Sequence, residues 1–192
     1  MKMNVISYSL TGNNDRLAHS LAELLGAEHV RITELKERTI KRTAFDMLFN
    51  RNPEVEYHGN MERHNGAVIF VGPVWMGGVA SPFRDCFKKL RKPGGPYAFV
   101  SISGGADGPN PKLAGELKKR LRREPAAVVD MHIVDLLPAE PKPTRDDTGN
   151  YQITEEEGRA LAKRAAASLG EILQVGPTAG EGQSEGGHHV FR

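Results

Sequence analysis

The sequence predicts an α/β chain built on a doubly wound, five-stranded parallel sheet with helices on both faces and strand order 2-1-3-4-5. Three observations predict it. Strand-like and helix-like segments alternate along the chain, the pattern of consecutive βαβ units. Ala67–Val71 and Tyr97–Ile102 are apolar on both faces, as central strands covered by helices on each side must be. His29–Leu35 and Ala126–Leu136 alternate apolar and polar residues, as edge strands with one solvated face do.

The first strand, Met3–Tyr8, turns through Ser9-Leu10-Thr11-Gly12-Asn13-Asn14 into a helix with Leu17, Leu21, Leu24 and Leu25 on one face. Such a turn aims free backbone N–H groups and the positive end of the helix dipole at one point, which suits a phosphate. Ser9, Thr11, Asn13 and Asn14 can add side-chain donors, and Gly12 admits a close approach of the backbone. No Lys or Arg falls inside the loop, so neutral dipoles would hold the anion. The same residue types are selected at helix starts without any ligand, and the loop alone leaves both readings open.

After the second strand, Ala44–Phe49 reads as helical, Pro53 breaks the pattern, and Glu54–Gly59 reads as extended. The third strand ends in Gly72-Pro73-Val74-Trp75-Met76-Gly77-Gly78-Val79-Ala80, which holds the single Trp of the chain. Ser81 as cap with Pro82 at the first helical position predicts a helix over Pro82–Leu90. The fourth strand ends in Ser103-Gly104-Gly105-Ala106-Asp107-Gly108, followed by a helix over Lys112–Arg123 with Leu113, Leu117 and Leu121 inward. A Pro-rich connection, Pro138–Asn150, leads to a last helix that opens on a capping box, Thr154-Glu155-Glu156-Glu157, and buries Leu161, Ala165, Leu169 and Leu173. Residues 1–175 form one domain in this reading, and the Gly-rich, aperiodic stretch 176–192 reads as a disordered tail.

Composition narrows the function. Of the 192 residues, 39% are hydrophobic and 26% charged, as in ordinary globular proteins, and the length suits one domain. No apolar run approaches the roughly 18 residues of a membrane span. The start of the chain lacks a signal-peptide profile, and the lone Cys86, flanked by Phe83 and Phe87, fits a core position in a reducing compartment. The expectation is a cytoplasmic protein. A net charge of +2 is too balanced for nucleic-acid binding. No Ser-His-Asp or metal-ligand spacing stands out, and no residue is singled out as catalytic. His188 and His189 fall in the tail without a metal-binding context. Lys118, Lys119, Arg120, Arg122 and Arg123 crowd one helix end, where cations suit the dipole. They form either a solvated face or a dock for an acidic partner or a nicotinamide phosphate.

In a sheet of this order, ligands sit beyond the strand C-termini at the switch between the first and third strands, where the loops after strands one, three and four meet. With those loops the sequence resembles the flavodoxins and flavodoxin-like proteins, over nearly the whole chain up to Val175. Ser9-Leu10-Thr11-Gly12-Asn13-Asn14 is similar to the family's FMN phosphate loop, with Asn14 where Thr is usual. Pro73-Val74-Trp75-Met76-Gly77 takes the place of the loop against the isoalloxazine, and Ser103-Gly104-Gly105 that of the second flavin loop. The resemblance implies FMN as cofactor, Trp75 on or beside the ring (packing between helices is the alternative), and backbone groups of Trp75, Met76 and Gly77 near flavin N5. The N–H groups of Ser103 to Gly105 would face the pyrimidine oxygens. It implies an electron-transfer flavoprotein exchanging electrons with a redox partner protein. Electron-carrying flavodoxins are usually strongly acidic and this chain is not, which keeps open an FMN-dependent NAD(P)H oxidoreductase acting on a quinone or similar small acceptor. A fold that has lost its flavin and serves as a binding module is a third possibility.

Overall fold

Val5, Ile6, Tyr8, Phe70, Val71, Phe99 and Val100 are almost wholly buried, and they lie on three adjacent parallel strands that form the middle of the molecule. The computed structural model describes residues 3–35, 53–59, 66–75, 77–91, 95–106 and 108–170. In chain order the elements are β1 (Asn4–Tyr8), α1 (Asn13–Leu25), β2 (Glu28–Glu34), β3 (Val55–His58), β4 (Val68–Val71), β5 (Val74–Trp75), β6 (Gly78–Val79) and α2 (Phe83–Leu90). There follow β7 (Tyr97–Ser103), α3 (Leu113–Leu121), β8 (Ala127–His132), a 3-10 turn (Ile133–Leu136), α4 (Arg145–Asn150) and α5 (Glu155–Ser168).

The main sheet has six strands in the order β3-β2-β1-β4-β7-β8. Its five parallel strands stand as expected, with β2 and β8 flanking the apolar β1, β4 and β7. The sheet is nevertheless not purely parallel. The Glu54–Gly59 segment supplies β3, which pairs antiparallel with β2 from Arg31↔His58 to Glu34↔Val55 and takes over the outer edge. Every second residue of β3 is exposed, so its sequence carries only a short alternation.

Two apolar layers sandwich the sheet. On one face α1 and α5 pack through Leu17, Ala18, Leu21, Leu161, Ala162 and Ala165. On the other, α2 and α3 pack through Phe83, Cys86, Phe87, Leu113, Leu117 and Leu121. The rings of Phe83 and Phe87 stack at 5.6 Å, and Phe70 meets Phe87 edge-on at 4.9 Å. Cys86 is a core residue, and burial pushes its thiol up to about 12.

Several local expectations are corrected. Leu24 is 48% exposed: it lies outside the α1 stripe, which Ala18, Ser20 and Ala22 complete. Ser81 does not cap α2. The helix begins at Phe83, and the N–H groups of Phe83 and Arg84 donate to the backbone oxygens of Ala80 and Ser81 in a tight first turn. The helix after β7 spans Leu113–Leu121 and stops where Arg122 turns left-handed and donates its N–H to Lys118 O. The Pro138–Asn150 connection contains α4, held by its own capping box of Thr144 and Asp147. The Thr154–Glu157 capping box forms as read. Ala44–Phe49, Met76, Asp107, Leu173 and the 176–192 tail lie outside the described residues.

Candidate functional site

The main-sheet order places the switch between β1 and β4: α1 leaves β1 toward one face, and α2 leaves the β4 side toward the other. Ser9–Gly12 sits at the end of β1. Gly12 is the N-cap of α1 with φ +94, a backbone state that non-glycine residues rarely adopt. Ser9 Oγ accepts from Gly12 N–H at 3.0 Å, which tightens the loop. The first helical bond is Arg16 N–H to Gly12 O at 2.9 Å, and no side chain caps the helix. The N–H groups of the first turn therefore face out of the strand end with the dipole behind them.

The side chains of Asn13 and Asn14 are not part of that outward surface. Both are buried. Asn13 Nδ2 donates to Tyr151 O at 2.7 Å and its Oδ1 accepts from Ile153 N at 3.0 Å, fastening the loop to the segment before α5. Asn14 is engaged in the same way with the backbone of Ile102 on β7, at 2.9 and 3.0 Å. Of the side-chain donors read from sequence in this loop, Thr11 stays exposed and Ser9 partly so. An anion here would be met chiefly by backbone.

Charge reaches the loop from residues that the sequence reading missed. Arg31 on β2 lines a cavity of about 410 Å³ together with Tyr8, Ser9, Leu10, Thr33 and Glu34. Its Nε is 3.1 Å from Asp15 Oδ2. Asp15 stands in the first turn of α1, where its charge would repel an anion. Arg31 neutralises it, and Ser7 Oγ donates to its Oδ1 at 3.0 Å. Ser7 Oγ is also 2.8 Å from His29 Nε2, and with the serine proton given to Asp15 the imidazole must be the donor. Burial lowers the His29 pKa from its usual 6.5, with Asp15 acting in the opposite direction. A Ser, a His and an Asp thus come together, yet Ser7 is wholly buried in the central strand and bonds the carboxylate directly. The network positions α1 on β1 and offers no accessible nucleophile. Only spatial adjacency reveals it, because the three residues sit on three different elements.

The second loop is a small hairpin. β5 and β6 pair antiparallel, Val74↔Val79 and Trp75↔Gly78, around Gly77 at φ +79. Ala80 N–H donates to Pro73 O at 3.2 Å and closes its base. The hairpin lies against β7, and Trp75, partly exposed, meets the Tyr8 ring edge-on at 6.0 Å. The first and second loops are thus brought together through Tyr8 and Trp75. Tyr8 OH donates to Glu34 Oε1 at 2.7 Å.

The third loop is present, but its glycines have local reasons. A Cβ on Gly104 would lie 2.9 Å from Thr148 Oγ1, and one on Gly105, at φ +78, only 2.4 Å from His132 Cβ. Gly104 O accepts from Val134 N–H at 3.1 Å. Asp130 Oδ2 receives both Asn110 N–H and Nδ2, at 3.2 and 2.9 Å. The loop is therefore clamped to β8 and α4. Ser103 ends β7 and is partly exposed. Among the described residues no group of three or more His, Cys, Asp or Glu forms a metal site, and no helix is long and apolar enough to cross a membrane.

No protein-family model matches the chain, and no curated protein matches it. Solved structures do. A flavoprotein from Lactobacillus acidophilus in complex with FMN shares 18% identity at a TM-score of 0.57, covering 67% of this chain and 92% of its own. The apo form of the flavoprotein from the same organism gives 16% and 0.51, covering 68% of this chain and 91% of its own. A protein of Bacteroides uniformis gives 14% and 0.61, covering 84% and 97%. With the strand order, these likenesses establish a flavodoxin-like fold.

Proposed function

We propose that the chain binds FMN at the strand ends and serves as an electron-transfer flavoprotein working with a redox partner protein. One observation carries the reading: the α1 N-terminus, uncapped by any side chain and with Gly12 left-handed, lies at the sheet switch just past β1, whose terminal Tyr8 ring meets the partly exposed Trp75 edge-on. The likeness in fold to a flavoprotein solved with FMN supports it.

The residues fit the group. First-turn N–H groups of α1, with Thr11 Oγ1, would hold the phosphate, and the Arg31–Asp15 pair keeps the surroundings near neutral. Trp75 would supply the aromatic surface for the ring and exclude water from one side of it. Gly77, at φ +79, lacks the Cβ that would penalise a change of backbone conformation in the hairpin. When bound, FMN itself supplies one- and two-electron redox chemistry.

A second reading, an NAD(P)H-dependent reductase of a quinone or similar small acceptor, is favoured by the net charge of +2, which is unlike an acidic carrier. The visible spectrum of the FMN-loaded protein separates the two. A carrier is bleached in two resolved one-electron stages by dithionite and slowly or not at all by NADPH. Rapid bleaching by NADPH without a one-electron stage assigns the protein to the reductases, and no flavin uptake at all defeats both.

A further inference from the structure

The face of the molecule covered by α2 and α3 carries a concavity that the flavin reading does not use. Its volume is about 480 Å³, within the range of roughly 300–1,000 Å³ seen for small-molecule sites. Arg84, Lys88 and the C-cap residue Arg91 enter it from one side of α2 at i, i+4 and i+7, and Lys119 and Arg120 from α3. The apolar floor is Phe87. Five cations thus meet one carboxylate, Glu116, in a single concavity, on a chain whose whole net charge is +2. The helices are held so that this charge stays gathered: Arg91 Nε donates to Arg120 O across the groove at 2.8 Å. Lys88 and Lys119 are exposed and form no ion pair among the described residues, while the neighbouring Lys89 and Lys118 pair with Asp85 and Glu124.

Glu116 links the groove to the Trp75 hairpin. Its carboxylate pairs with Arg120 and faces the backbone N–H of Val79 on β6, and a Cβ on Gly78 would stand 3.4 Å from its Oε1. An anion that draws Arg84 and Arg120 toward itself weakens their hold on Glu116, and through Glu116 the seat of the hairpin.

We propose that the groove between α2 and α3 is a binding site for a small phosphate-bearing polyanion, and that its occupancy is transmitted through Glu116 to the hairpin that carries Trp75. Three guanidinium forks suit phosphate oxygens, and the exposed Lys88 and Lys119 complete the charge that a polyanion needs there. The concavity fits a compact ligand better than a flat acidic protein surface. The inference does not rest on FMN binding, and its failure leaves that reading standing.

Trp75 is the only Trp and a built-in reporter. The flavin-free full chain is titrated with inorganic pyrophosphate at constant ionic strength, followed by calorimetry and by Trp75 emission. Saturable one-to-one binding with a saturable emission change is expected, and Lys88→Ala/Lys119→Ala should weaken it at least tenfold while leaving the thermal midpoint unchanged. Both residues are exposed, so the variant folds as the parent does. Equal affinity in the variant would place the pyrophosphate elsewhere, the α1 loop included, and overturn the proposal. So would an equal emission change with potassium chloride, or binding of an acidic polypeptide with none of pyrophosphate. Binding without an emission change would overturn the link through Glu116.

Discussion

Asn14 and Ile102 exchange two hydrogen bonds, Asn14 Nδ2 to Ile102 O at 2.9 Å and Ile102 N–H to Asn14 Oδ1 at 3.0 Å. The last paired residues of β4 and β7 are Val71 and Val100, and Gly72 N–H still reaches Val100 O. One step further the neighbouring strand has turned away, and a side-chain amide takes its place. Asn14 thus completes the ladder at the sheet switch while starting α1. Replacing it with Ala leaves a buried N–H and C=O unpaired, at roughly 1–3 kcal/mol each. Asn14→Ala should therefore lower stability in urea unfolding by about 2–6 kcal/mol. A loss below about 0.5 kcal/mol, within the range of ordinary surface changes, would show that water replaces the amide.

Gly12 tests the anion site. Its φ of +94 is strained for any residue with a Cβ, while Gln152 Oε1, at 3.8 Å from a built Cβ, leaves room for one. Gly12→Ala should thus disturb the loop by conformation, at about 1–2 kcal/mol. FMN affinity should fall several-fold while riboflavin affinity holds. Equal losses for the two ligands would place the phosphate elsewhere.

Trp75 tests the ring site. Its emission should be quenched by added FMN, and Trp75→Ala should cost about 1–3 kcal/mol of flavin affinity, by analogy with base–aromatic stacking. Because the ring is only partly buried, stability should change little. An Ala variant that binds FMN normally but unfolds early would make Trp75 a packing residue against Tyr8.

His29 should give the stability a pH dependence of known sign. Burial lowers its folded pKa below the ordinary 6.5, so in acid the unfolded chain binds the proton more readily. Its contribution is complete above about 6.5 and is lost as pH falls through the lower, folded value. As pH falls from about 6.5 toward that value, the urea midpoint of the parent should drop more steeply than that of His29→Gln. Parallel profiles would mean that burial does not hold the His29 imidazole neutral.

The apolar strands Ala67–Val71 and Tyr97–Ile102 and the alternation in His29–Leu35 identified the parallel core and its order, because hydrophobic periodicity reports burial directly. The loop after β1 was legible for the same kind of reason: a strand that turns through a glycine N-cap, Gly12, into a leucine-striped helix has few local geometries. What Asn13 and Asn14 do was decided only by the fold. An amide at a helix start can turn to a ligand or to the protein, and the choice depends on whether an unpaired backbone lies within reach. Ile102 and Ile153, both remote in sequence, provide it. The place of Val55–His58 at the sheet edge, the gathering of Ser7, Asp15, His29 and Arg31, and the facing cations of α2 and α3 are likewise products of packing. Each joins residues whose local sequences carry no mark of one another, so only the folded backbone determines that they meet.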